Sequence, residues 1–259
     1  ESAGEKALLI EGARRIGKST IAEEFGKREY KSYILVDFND ISNVVKDAFE
    51  KYLNDLDTFF LILSTEYNTA LYPKESLIIF DEIQQYPKAR QSIKKLVKDG
   101  RYDYIETGSL ISIRENVKNI TIPSEERRIN MYPMDFEEFC RALGETKMTE
   151  YIRKCFDEKK PLEETLHHKA MMLFKQYILV GGMPKAIEKY LNNNRSFAAA
   201  DIEKRDILSL YRSDISKIDR NYRSKVLSIF DQIPGFLSQH EKRVRLSSIE
   251  EKSTFPMYE

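Results

Sequence analysis

Tryptophan is absent from these 259 residues, cysteine occurs twice, histidine three times, and neither sign of charge is in excess. Each shortage removes a class of answer. Cys140 and Cys155 make neither a disulfide framework nor a metal-ligand spacing, and they point to a reducing compartment, the cytoplasm. His167-His168 has no third ligand in sight, so a helix-surface pair is the plain reading. Lys+Arg and Asp+Glu both number 42, so net charge gives no global pull toward nucleic acid or a membrane surface. No uninterrupted apolar run exceeds five residues, as in Phe59–Leu63, far short of the roughly 20 that cross a bilayer. No signal-peptide pattern opens the chain. The first residue is Glu1 rather than Met, and a few native residues are expected before it. What is present is 41% hydrophobic and 32% charged, with 15 Tyr and 14 Phe, enough for one to three soluble domains.

The most informative segment is Gly12-Ala13-Arg14-Arg15-Ile16-Gly17-Lys18-Ser19, a complete G-x-x-x-x-G-K-[ST] phosphate-binding loop. Gly12 and Gly17 let the backbone curl so that N–H groups turn toward phosphate oxygens. Lys18 is expected to reach the β- and γ-phosphates, and the Ser19 hydroxyl to ligate Mg2+. Ala7–Ile10 reads as the buried strand leading in. Thr20 and the residues after it read as a helix, with Ile21, Ala22 and Phe25 on one face and Gly26-Lys27-Arg28 as its end. Such a helix aims its positive end at the same anion.

Ser76-Leu77-Ile78-Ile79-Phe80-Asp81-Glu82 supplies the matching Walker B pattern, an apolar strand ending in two acids. Asp81 is expected to hold the metal, and Glu82 to orient and deprotonate the attacking water. A second carboxylate here suits hydrolysis better than phosphotransfer. Further strands are expected at 32–38, within 102–109 (a strand followed by a polar turn) and at 127–133, with helices at 41–63 and 87–99 between them. This alternation predicts an α/β fold, a parallel five-stranded sheet covered by helices. Thr107-Gly108-Ser109 reads as a polar turn after the fourth strand. There Thr107, or Ser109 in its stead, would bond the water or the phosphate, although an ordinary strand-to-loop turn accounts for the same residues.

Together these motifs resemble the AAA+ ATPases, and more narrowly a bacterial and archaeal family of ATP-binding proteins. The narrower resemblance rests on Arg14-Arg15 between the loop glycines, Asp81-Glu82-Ile83-Gln84, Thr107-Gly108-Ser109, Pro133-Met134-Asp135-Phe136-Glu137-Glu138-Phe139 and Gly181-Gly182-Met183-Pro184. It keeps motif order over about residues 5–220. It implies a helical lid over the nucleotide, with Pro184 against the adenine, although a plain helix–helix turn explains Gly182-Met183-Pro184 equally well. It also implies an arginine finger near Arg127-Arg128. At most one of the two serves, since neighbours in a strand point to opposite faces, and Arg128 is the candidate. A solvated basic edge is the alternative.

The domains expected are an α/β ATPase core at 1–145, a helical lid at 146–215, and the start of a winged-helix or C-terminal domain at 216–259. Helices are expected at 135–143, 147–156, 163–179, 184–192 and 196–211, with weaker signals at 222–230 and 246–252. The end at Phe255–Glu259 has no terminal character, and the resembled family continues with a domain that is nuclease-like in some members. Lys88, Arg90, Lys94, Lys95, Lys98 and Arg101 form one basic group, and Arg205, Arg212, Arg220, Arg223 and Lys225 another. Nucleic acid is one reading of these and a solvated helix face the commoner one. The expected ligands are ATP and Mg2+, with a homo-oligomer as possible partner and no membrane. Two functions fit: an ATPase whose nucleotide state moves the lid and a partner surface, or a slow ATP switch gating a further effector, nucleic-acid linked in one version.

Overall fold

The computed structural model describes residues 5–109, 124–216 and 220–238. Five strands, β1 (Ala7–Gly12), β2 (Ser32–Asp37), β3 (Ser76–Asp81), β4 (Asp103–Ser109) and β5 (Glu126–Met131), form one sheet in the order β2-β3-β4-β1-β5, parallel throughout. The polypeptide must cross over between parallel strands, and from β1 to β4 helices α1 (Lys18–Glu29), α2 (Asn43–Lys51), α3 (Leu56–Glu66) and α4 (Pro87–Asp99) make the crossovers. All six residues of β3 are buried, as expected of a continuous apolar run covered on both faces.

The two faces have different cores. On one, Ala7, Leu9, Ile34, Ile78 and Phe80 pack against α2, α3 and α4, with Phe38, Phe49, Phe59 and Phe60 filling the layer between. Phe49 and Phe59 meet edge to face at 5.0 Å. On the other face, Ile10, Leu77, Ile79 and Ile105 receive α1 through Ala22.

Two local expectations need correction. Gly26 does not end α1. It lies inside the helix, and a Cβ there would stand 3.1 Å from the Tyr33 Cβ and 3.2 Å from the Leu77 Cδ2. Gly26 therefore permits close packing of helix on sheet. The buried stripe of α1 is Lys18, Ala22 and Gly26, whereas Ile21 and Phe25 are about half exposed. The single helix expected at 41–63 is two helices. Asp55 accepts a hydrogen bond from the Thr58 N–H at 3.2 Å and caps α3, so a new helix starts where the apolar pattern alone reads through.

After β5 the chain is helical: α5 (Phe136–Ala142), α6 (Thr146–Asp157), α7 (Glu164–Val180), α8 (Pro184–Asn192), α9 (Phe197–Ile215) and α10 (Arg220–Ser238). Asp135 and Glu138 form a capping box on α5. Phe139, Val180, Ile187, Tyr190 and Ala200 are the buried centre of this half. It is joined to the sheet where the Met134 N–H donates to the Gly182 carbonyl at 2.8 Å and the Tyr177 hydroxyl to the Met134 carbonyl at 3.0 Å. Residues 222–230 fall within α10, while 246–252 lie outside the described residues. No helix among the described residues is long and apolar enough to cross a membrane.

Candidate functional site

The loop between β1 and α1 lies at the carboxyl end of β1, where an open parallel sheet offers its crevice. Gly17 has φ 94°, left-handed backbone that glycine adopts without strain, and Arg15 has φ 69° without that freedom. Arg14 through Thr20 line an open cavity of about 1590 Å³, shared with Asp81, Glu82 and Pro184. Gly12 and Ala13 contribute their carbonyls: the Lys18 ammonium donates to them at 3.2 and 2.9 Å. Burial lowers the proton affinity of Lys18 and Arg14 lowers it further, whereas Glu82 and Asp81 raise it.

One carboxylate oxygen organises the rest. Asp81 Oδ1 accepts from the Ser19 hydroxyl at 2.7 Å and also from the Thr107 hydroxyl. The Glu82 N–H donates to Thr107 Oγ1 at 3.2 Å. Glu82 has φ 54°, so the chain turns sharply as it leaves β3, and Gln84 Nε2 donates to the Glu82 carboxylate. The structure thus brings Lys18, Ser19, Asp81, Glu82 and Thr107 together. Thr107 and Ser109 belong to β4 itself rather than to a turn after it, paired with Ile10 and Gly12 of β1. The strand pairing holds Thr107 fully buried. Pro184 opens α8, and its Cγ would lie 3.9 Å from a Cβ placed on Gly17.

Arg127 and Arg128 lie within β5. Arg128 faces its own chain, with nitrogens 3.8 Å from Glu11 and 3.6 Å from Glu126. Arg90 does not belong to a surface basic group. It is buried, and it bonds both oxygens of Glu126 at 2.9 Å. Beside this cluster Glu106 is fully buried, and neither carboxylate oxygen has a hydrogen-bond partner. Burial, then the neighbouring Glu126, pushes its pKa well above the carboxylate range, against the pull of Arg90 and Arg128. Much of the remaining surface basic charge is paired within the chain, as in Lys88–Glu50, Arg101–Asp57, Arg205–Asp201 and Arg212–Asp231.

Sequence reasoning missed two further contacts. Gln84 on Glu82 follows from the turn after β3. The second joins residues 200 apart: Arg14 Nη1 donates to both oxygens of Asp214 at 2.7 Å, and the Tyr211 hydroxyl to the Arg14 carbonyl at 2.8 Å. Nothing local in the sequence signals it.

Parallel sheet, phosphate-type loop and adjoining acid define the class of the P-loop nucleotide-binding proteins. More particularly, residues 4–140 match the family model of an AAA domain (AAA_14), just over half of the sequence, and the chain belongs to that family. Residues 171–256 match a domain of unknown function, DUF8612. No curated protein matches the sequence. Among solved structures the chain is similar to C. elegans PCH-2, with 13% identity over 77% of this chain and 61% of that one at a TM-score of 0.38. It is similar also to Aeropyrum pernix ORC1 in complex with DNA, with 11% identity over 94% and 75% at a TM-score of 0.38. A Thermotoga maritima RuvB gives 12% identity over 67% of each chain at a TM-score of 0.32. The chain thus spans less than two thirds of the length of PCH-2, and likenesses this distant carry no functional argument.

Proposed function

We propose that the protein binds Mg·ATP at the loop Gly12–Ser19 and hydrolyses it, the nucleotide state altering how the helical half, a lid at about 146–215, sits on the α/β core. The observation that carries this reading is the shared oxygen of Asp81, held by the Ser19 and Thr107 hydroxyls with Glu82 immediately beside it. The donor set fits the metal: a hydroxyl and a carboxylate oxygen 2.7 Å apart are the hard ligands that Mg2+ prefers. When bound, the ion supplies charge stabilisation to the phosphates. The chain's own residues do the rest. Lys18 exchanges its two loop carbonyls for phosphate oxygens, and backbone N–H groups of Arg14 to Thr20 face the anion. Glu82 takes the proton of the attacking water, with Thr107 fixing the Glu82 backbone and Gln84 its carboxylate. Pro184, which lines the same cavity, packs against the nucleobase. Arg128, whose nitrogens lie 3.8 Å from Glu11 and 3.6 Å from Glu126, would act, if at all, as a finger on a neighbouring chain's nucleotide.

The test is ATP binding and turnover by the wild type against Lys18→Ala, which should bind at least about a hundredfold more weakly. Equal failure of both to bind ATP overturns the reading. A second reading, a slow nucleotide switch, is favoured by the tie from α9 to the loop. Turnover per chain that rises with protein concentration supports an oligomeric ATPase. Slow turnover independent of concentration supports the switch.

A further inference from the structure

Arg14 stands inside the phosphate-type loop, yet its guanidinium is already committed to an anion. Nη1 donates to both oxygens of Asp214, near the carboxyl end of α9. One turn earlier on the same helix, Tyr211 holds the Arg14 backbone through its carbonyl, next to the left-handed Arg15. The helix therefore grips the loop at side chain and main chain at once. The two partners belong to different matched units, Arg14 to the AAA domain and Tyr211 and Asp214 to the domain of unknown function.

A nucleotide entering this loop brings several negative charges to the residues that flank Arg14. Phosphate oxygens and the Asp214 carboxylate want the same guanidinium, and they repel each other. We propose that α9 is a built-in antagonist of nucleotide binding: Asp214 neutralises Arg14 while the loop is empty, and a bound polyphosphate draws Arg14 away and drives Asp214 off. This deepens the ATP-binding reading and rests on it. Occupancy of the loop frees the end of α9, and a partner that pulls on α9 tightens the loop for nucleotide. The coupling must be the same in both directions. Arg14 is electrostatically felt at Lys18, so its release from Asp214 reaches the lysine that meets the phosphates. Both side chains of the pair are partly open to solvent, 41% and 36% exposed, so screening holds the effect to about two- to fivefold in affinity.

The experiment is calorimetric titration of the whole chain with Mg·ATP, for the wild type, Asp214→Asn and Asp214→Glu, at low and at high ionic strength. Asp214→Asn should bind about two- to fivefold tighter at low salt. The gap should close at about 0.5 M salt, a shift that a merely structural change at this site does not produce. Asp214→Glu, which keeps the charge, should stay near the wild type. In parallel, hydrogen exchange of the wild type should show faster exchange of the amides of Tyr211–Ser216 when ATP saturates the loop. Unchanged or weaker binding by Asp214→Asn overturns the inference while leaving the ATP reading intact. Slower exchange at Tyr211–Ser216 with ATP also overturns it. If neither wild type nor Asp214→Asn binds ATP, the proposed function fails and the inference with it.

Discussion

Glu106 and Thr107 are neighbours in β4, and the pleat sends them to opposite faces of the sheet. Thr107 faces α1, donates to Asp81 and accepts from the Glu82 N–H, so its hydroxyl is bonded as donor and as acceptor. Glu106 faces the α4 side, among Arg90, Glu126 and Arg128, with both oxygens unbonded. Both are buried. On the first face buried polarity is satisfied and placed beside the cavity. On the second it forms a charged layer under the sheet, where the Arg90–Glu126 pair holds helix to edge strand. Buried polar groups thus do two jobs here, and for the neighbours Thr107 and Glu106 hydrogen bonding tells them apart where burial does not.

Substitutions can break this contrast. Glu82→Gln, on the cavity side, should keep ATP affinity and slow turnover by about a hundredfold or more, read by a phosphate-release assay. Hydrolysis at the parent rate would remove Glu82 from the mechanism. Arg90→Met, on the far side, should leave buried Glu126 with only the longer Arg128 contact at 3.6 Å and cost up to about 3–5 kcal/mol in denaturant unfolding. Adding Glu126→Met should restore much of that loss, because the pair and not the arginine is what the core accommodates. Thr107→Val should cost less, about 1–3 kcal/mol, because it strands the Glu82 N–H. It should also slow turnover, whereas the Arg90→Met, Glu126→Met double variant should not.

The smallest effect belongs to Glu106. Its pKa is raised in the folded state, so the fold favours the neutral acid. The stability this gives is complete at pH below the ordinary carboxylate range and is lost as pH rises above it toward the folded-state value. Glu106→Gln should flatten that decline as pH rises above the ordinary carboxylate range in thermal melts. An equally steep decline in the variant would assign the slope to another group.

Legibility follows the same division. The loop Gly12–Ser19 and the strand into Asp81-Glu82 were readable because each is a contiguous run whose chemistry needs neighbouring residues. Thr107 was readable by its place after an apolar strand, although the structure puts it inside β4 and not in a turn. The sheet and most helices followed from alternating periodicity. Gly26 misled because glycine serves both helix ends and close packing, and only the positions of Tyr33 and Leu77 decide which. Arg90 misled because a buried arginine and a solvated one look alike until Glu126 is placed beside it, 36 residues later. The tie from Arg14 to Tyr211 and Asp214 has no pattern of its own, since it depends on where the helical half docks.

That tie also bears on how the chain acquires its shape. Its partners are 197 and 200 residues apart, so it forms only after about 200 further residues have been made. A ribosome releases Gly12–Ser19 early, and the sheet is complete by Met131, but nothing can grip Arg14 until α9 has emerged. During that interval the young loop has no Asp214 to contend with, and any polyphosphate in the surroundings meets an unopposed arginine. If the proposed antagonism holds, nucleotide meets the loop without that opposition until α9 is made, and its stabilising effect on the growing chain is not reduced by Asp214.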